Sequence, residues 1–383
     1  MNHRERVLAA LQHREPDRVP MDLGGTTDST IVAAGYPRLR AALGLGPNVT
    51  RMQDVVQQTA MIDEDVRVAL GVDTRPILPL PRRWRRDVLP DGSPADLPAA
   101  FRPERLPDGS QVARDEGGTV MLKMPAGGHY FDPVHVPLAD ATSSKEIEKH
   151  LRAIETYDAP DYLDERYEAL AEQGRALREE TDYLLVGFFG GHIFQAGQAL
   201  RGWEQFPVDL LVSPGFAEAL MDQLAEANLR RFARFAATVG RWVDVVQFED
   251  DLGMQDRPLV RPSLYRQRVK PYHEKLFRFA KAQCDALILL HSDGAIAPLI
   301  PDLIEMGVDA INPVQVSAAG MEPRELKRAF GDEIAFWGAG CESQRVLPFG
   351  SPQEVADEVK RRIDELAPGG GWVFAPIHSH VVD

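Results

Sequence analysis

The sequence predicts an α/β protein of the (β/α)8 TIM-barrel class with a β-hairpin-rich insertion after its second strand. Three observations lead there. Short apolar runs that end in polar or glycine residues recur eight times along the 383 residues. Amphipathic stretches rich in Ala, Leu, Glu and Arg separate most of them, and repeated strand-then-helix units build a parallel sheet. No Gly-x-Gly-x-x-Gly turn follows an early strand, as an open dinucleotide-binding sheet would show.

Each element has a local reason. A first helix is expected over residues 4–12, where Val7, Leu8 and Leu11 recur at helical spacing; it stops at Glu15-Pro16, because proline pushes the residue before it out of the α region. Residues 18–25 alternate apolar and polar side chains and run into Gly24-Gly25, which reads as a strand entering a tight loop. The other strands are expected at 71–78, 183–188, 243–248, 286–290, 308–312, 334–337 and 372–375. Residues 216–237 and 352–366 are helical in pattern, the second preceded by Ser351 with Glu354 three positions on, a capping box. Residues 79–142 break the rhythm. There the turn signals Asp91-Gly92, Asp108-Gly109 and Glu116-Gly117-Gly118 surround a strand-like 119–124. This span is too long for a connecting loop and is expected to cover one barrel mouth or to contact a partner, within a single domain, 1–383.

Composition narrows the function. Hydrophobic residues are 44% and charged residues 26%, as in folded globular chains. The net charge of -15 argues against nucleic acid or an anionic membrane as partner. Arg82-Arg83-Trp84-Arg85-Arg86 is the one dense basic patch: a solvated or acid-covered loop, or a clamp for a phosphate or carboxylate. Cys284 and Cys341 are the only cysteines, so there is no disulfide framework and a reducing, cytoplasmic setting is expected. No run of 18 apolar residues and no signal-type segment occurs.

In a parallel barrel the carboxyl ends of all strands open on one face, so chemistry is sought there. Those ends hold Asp22, His192, Glu249-Asp250-Asp251, His291-Ser292-Asp293, Asn312 with Gln315, Cys341 and His378. Glu249, Asp250 and Asp251 would repel one another without a cation, an arginine or a proton between them. They are the candidate proton-handling residues, although one of them capping the next helix would serve equally. Asp22, His192, Asn312 and Gln315 are candidate substrate contacts. His291 alone reads as a hydrogen-bonded structural histidine and Cys341 alone as a small buried residue. Together with Asp293 and His378 they offer the imidazole, thiolate and carboxylate groups that zinc prefers. No C-x-x-C signature exists, so the metal reading depends on the barrel bringing these ends together.

Several segments resemble the uroporphyrinogen decarboxylase superfamily, and its corrinoid-dependent methyltransferase-like branch in particular. They are Arg4-Glu5-Arg6-Val7-Leu8-Ala9-Ala10-Leu11 with Pro16-Asp17-Arg18-Val19-Pro20, Asp250-Asp251-Leu252-Gly253 with Lys270-Pro271-Tyr272-His273, His291-Ser292-Asp293-Gly294, Ile311-Asn312-Pro313-Val314-Gln315, and Gln344-Arg345-Val346-Leu347-Pro348-Phe349-Gly350. The resemblance implies a (β/α)8 barrel, often dimeric, that moves a methyl group between a small methylated compound and a corrinoid (cobalamin) on a separate corrinoid-binding protein. The decarboxylases' arginine-rich Arg-Gln-Ala-Gly-Arg-Tyr-like motif is replaced here by Met21-Asp22-Leu23-Gly24-Gly25-Thr26. Against the zinc methyltransferases' His-x-Cys and later Cys, this chain has His291, Asp293 and His378, with Cys341 able to restore a thiolate. The alternatives are a lyase acting on a carboxylated substrate, with the 82–86 arginines as anion clamp, and a non-catalytic binding member.

Overall fold

Seven parallel strands, Thr74–Ile77, Leu184–Gly190, Val245–Glu249, Leu287–His291, Ala310–Asn312, Ala335–Ala339 and Trp372–Ala375, lie side by side in chain order. The structure, a computed structural model, describes residues 1–89, 92–157 and 167–378. The eighth stave is residues 20–22, shortened to a parallel bridge between Met21 and Phe374. Its backbone closes the ring: the Asp22 amide donates to the Phe374 carbonyl at 2.8 Å, and the Asp73 amide donates to the Met21 carbonyl at 2.7 Å. The expected alternation of residues 18–25 is therefore present as a seam, cut short by the glycine loop that follows.

Side-chain parity sorts each strand into two faces. Leu184, Val186, Val245, Leu289, Ala310, Ala335, Trp337, Val373 and Ala375 point inward and pack with Val7 and Leu11. The helix His3–Leu11, held by a capping box between Asn2 and Glu5, thus plugs the amino end of the barrel. The alternate residues, among them Leu185, Val246, Phe248, Ile288, Leu290, Ile311 and Phe336, meet the outer helices in the largest core. Those helices include Pro214–Thr238 and Pro352–Leu366, the latter with the Ser351–Glu354 capping box. No described helix is long and apolar enough to cross a membrane.

Two four-stranded sheets lie outside the barrel, Thr59–Ala60, Thr50–Asp54, Pro94–Pro98 and Trp84–Val88 in one, and Glu104–Arg105, Gln111–Arg114, Val120–Met124 and Asp132–Pro133 in the other. Gly109 and Gly118 take φ of 85°, which suits glycine in the expected turns, whereas Asp91 lies outside the described residues. Thr50–Asp54 pairs with Pro94–Pro98, so chain from before the second barrel strand joins the added sheet. A separate core of Tyr36, Met52, Val66, Phe101, Met124 and Phe131 holds these parts together.

Candidate active site

Parity and register together build the site. Glu249 is paired with His291, and His291 with Asn312, on three adjacent parallel strands. All three share the inward parity of Val245, Leu289 and Ala310, so their side chains line the lumen at the carboxyl end. The chain then turns out of each strand and brings two further carboxylates back over His291. Gly253 and Gly294 make this possible. A Cβ on Gly253 would run into the Asp293 carbonyl, and one on Gly294 would run into the Gly253 backbone. The two loops meet backbone to backbone, and the Asp293 amide donates to Asp251 Oδ1 at 2.9 Å.

The result is a cluster of Asp251, His291 and Asp293 whose ligand atoms all lie within 4.8 Å of one another. His291 Nε2 faces Asp251 Oδ1 at 4.0 Å and Asp293 Oδ2 at 3.8 Å, beyond hydrogen-bonding reach, with the imidazole side chain only 8% exposed. Its other nitrogen, Nδ1, meets Asn312 Oδ1 at 2.6 Å. Asn312 Nδ2 donates to the Trp337 carbonyl at 3.0 Å, which fixes the amide with its oxygen toward the imidazole. Nδ1 therefore carries a proton, and Nε2 is the atom turned toward Asp251 and Asp293. Gln315 steadies the same loop by accepting from the Gly294 amide at 2.9 Å. His378 stands at the edge, Nε2 to Asp293 Oδ2 3.9 Å.

A second group adjoins this one. Gln247 Nε2 lies 2.7 Å from Asp28 Oδ2 and 2.6 Å from Glu249 Oε1, while Thr27 Oγ1 lies 2.8 Å and 2.6 Å from the same oxygens. His192 Nε2 stands 3.4 Å from Glu249 Oε2. Burial, with Asp28 alongside, pushes the Glu249 carboxyl up to about 7. Burial and Asp293 likewise raise Asp251. Burial works against a charge on His291, yet Asp28, Asp293, Asp251 and Glu249 outweigh it and hold the imidazole up to about 10. Four carboxylates around one imidazole leave an excess of negative charge that a cation would relieve.

Three expected site residues have other work. Asp250 has the opposite parity to Glu249 and turns outward: its carboxylate accepts from the amides of Ile193, Phe194 and Gln195 at 2.6–2.9 Å and meets His273 Nε2 at 2.7 Å. It caps the start of the helix Phe194–Arg201 and is turned away from Glu249. Asp22 is fully buried, accepting from Thr74 Oγ1 at 2.6 Å, the Gly25 amide at 2.7 Å and Trp337 Nε1 at 2.7 Å, and its carboxylate locks the barrel seam. Cys341 is outside the metal-competent cluster: its thiol lies 3.9 Å from the Glu342 carbonyl, and burial together with Glu358 and Glu342 pushes it up to about 11. Asp251, expected to handle protons, lies with His291 and Asp293 in the cluster that could hold a metal ion. The arginines of 82–86 are engaged in part, Arg85 with Asp87 and Arg86 with Asp96.

The family model for uroporphyrinogen decarboxylase (URO-D) matches residues 138–383, more than half of the sequence and six of the seven extended strands. The chain belongs to the uroporphyrinogen decarboxylase family. No curated protein matches the sequence. Among solved structures, a methyltransferase from Methanosarcina mazei superposes with a TM-score of 0.56 at 15% identity, over 100% of this chain and 94% of that one. A β-glycosidase from the hyperthermophile Thermosphaera aggregans is matched at a TM-score of 0.38 and 10% identity, over 94% and 88% of the two chains. At such identities the likeness to the methyltransferase is one of fold.

Sequence reasoning missed Thr27, Asp28 and Gln247 in this uroporphyrinogen decarboxylase family member. Gln247 was legible, since it sits two residues before Glu249 on the same face of one strand. Thr27 and Asp28 follow the Gly24-Gly25 loop at the end of the first stave, and only ring closure sets them opposite Gln247.

Proposed function

We propose that the protein is a methyltransferase that moves a methyl group between a small methylated compound, of the methyl ether, amine or thiol type, and a corrinoid carried by a separate corrinoid-binding protein. A divalent metal, zinc by family resemblance, would be held by Asp251, His291 and Asp293. The observation carrying this reading is the convergence of those three side chains at the carboxyl face of the family's barrel.

The residues fit a metal on their own terms. One imidazole nitrogen with a proton held on its far side, plus two neighbouring carboxylates, Asp251 raised by burial and by Asp293, is the donor set of an open three-ligand centre. When bound there, such an ion supplies Lewis acidity to the heteroatom that carries the methyl group. Asn312 keeps His291 Nε2 on line. Glu249, whose charge is disfavoured near neutrality, holds the proton that the departing heteroatom takes up, and accepts it back in the reverse direction, with Thr27 and Gln247 fixing the carboxyl in place. His192 flanks it from the side of the helix Phe194–Arg201.

The partner would approach the face where the site opens. Met254, Leu347 and Phe349 are exposed there at 42%, 38% and 79%, and their loops are joined through Gln344 Nε2 donating to Gln255 Oε1 at 3.1 Å. Purified protein is tested with zinc, reduced cobalamin and anisole, trimethylamine or dimethyl sulfide, following methylcobalamin by its absorbance. Methyl transfer that His291→Ala abolishes is expected. Absence of transfer from every compound in the zinc-loaded protein, together with carbon dioxide release from a porphyrinogen, would instead assign it to the lyases.

A further inference from the structure

Neither thiol in this chain belongs to the cluster of Asp251, His291 and Asp293. Cys284 lies between the helix Lys270–Gln283 and the strand Leu287–His291, at the amino end of the barrel, on the opposite side from the site. Cys341 lies on the carboxyl side but belongs to another cluster. The Glu342 carboxylate accepts from the amides of Gln344, Arg345 and Val346 at 2.8, 2.7 and 3.1 Å, and the Glu342 amide donates to Glu358 Oε1 at 3.2 Å. These bonds fix the turn that follows Cys341 and keep its sulfur beside two carboxylates that oppose a thiolate. With two cysteines in the sequence, sulfur ligation from this chain is exhausted.

The donors of the cluster are hard or borderline. Asp251 and Asp293 offer carboxylate oxygens, side chains 27% and 29% exposed, and His291 offers Nε2, nine-tenths buried and without a hydrogen-bond partner. A carboxylate and imidazole set selects ions by oxygen affinity, whereas thiolates draw soft ions and make them weaker Lewis acids. An alkoxide is far more basic than a thiolate and needs such an ion in order to depart, whereas a departing amine nitrogen can be protonated instead, so a hard Lewis acid serves an ether best.

We infer that the centre is sulfur-free and that the substrate atom it receives is oxygen: the site takes a divalent cation on Asp251, His291 and Asp293, and a methyl ether or its alcohol or phenol product as ligand. The cation site stands on the geometry alone; the methyl group rests on the function proposed above.

The test uses the full chain, stripped with a chelator and titrated with Co2+ alone as an optical probe. One equivalent should bind with visible ligand-field bands and no sulfur-to-cobalt charge-transfer band, and Cys341→Ser should leave the spectrum unchanged. Asp251→Asn and Asp293→Asn should each weaken Co2+ binding by roughly tenfold or more, with unfolding in chelator showing that both remain folded. Phenol should shift the ligand-field bands at lower concentration than ethanethiol or trimethylamine. A charge-transfer band lost in Cys341→Ser, no bound Co2+, or the reverse order of ligands overturns the inference. None of these readouts needs methyl transfer, so a protein that meets them all yet transfers no methyl group keeps its oxygen-binding centre and loses only the function proposed above.

Discussion

Asn312 sets the chemistry of His291 from behind: its amide oxygen meets Nδ1 at 2.6 Å while its amide nitrogen is spent on the Trp337 carbonyl. The arrangement holds a proton on Nδ1 and gives the ring one direction. Asn312→Leu removes it at similar volume. Metal affinity is expected to fall by roughly 10–100-fold with the fold retained, read by titrating the chelator-stripped protein. Unchanged affinity would show that His291 needs no support.

The Gly253 and Gly294 contact spaces the two carboxylates. Gly253→Ala forces its Cβ into the Asp293 carbonyl and must part the loops. Loss of metal binding comparable to Asp251→Asn is expected, alongside a stability loss of about 1–3 kcal/mol. Calorimetry of metal binding beside thermal unfolding in chelator separates the two effects.

Glu249 makes stability depend on pH. Its folded carboxyl is raised to about 7 from an ordinary 4.5, so between those values the folded state binds more protons than the unfolded state. Stability from this group is therefore fully present below about pH 4.5 and lost as pH rises through about 7. In metal-free protein, Glu249→Gln should be more stable than the parent at pH 8 by on the order of 1–3 kcal/mol, the gain shrinking toward pH 5. Urea unfolding at both pH values decides it; a gain that grows on acidification would refute the raised carboxyl.

Asp250 contributes to stability through burial. Asp250→Ala strips three helix amides and the buried His273 of their acceptor. A loss of about 3–5 kcal/mol is expected in urea unfolding. A variant as stable as the parent would return Asp250 to the list of candidates for chemistry.

Parity explains much of what was legible. Glu249 and Asp251 differ from Asp250 by one residue, and a strand sends alternate side chains to opposite faces, so the outward role of Asp250 was readable from Val245-Val246-Gln247-Phe248 alone. Cys341 was not readable this way. It follows Gly340 beyond the last strand residue, Ala339, where the period of two has ended and hydrogen bonds to Glu342 and Glu358 direct the chain.

By itself the sequence determined the eight staves, the helices between them and the polar residues at the strand ends, because apolar periodicity and caps act over a few neighbours. Which of those polar ends share a cavity was decided only by the tertiary structure. Strand register, ring closure at Met21 and Phe374, and the meeting of Gly253 with Gly294 are contacts between residues far apart in the chain. No local pattern encodes them. They join Asp28, Glu249, Asp251, His291 and Asp293 and leave out Asp22, Asp250 and Cys341.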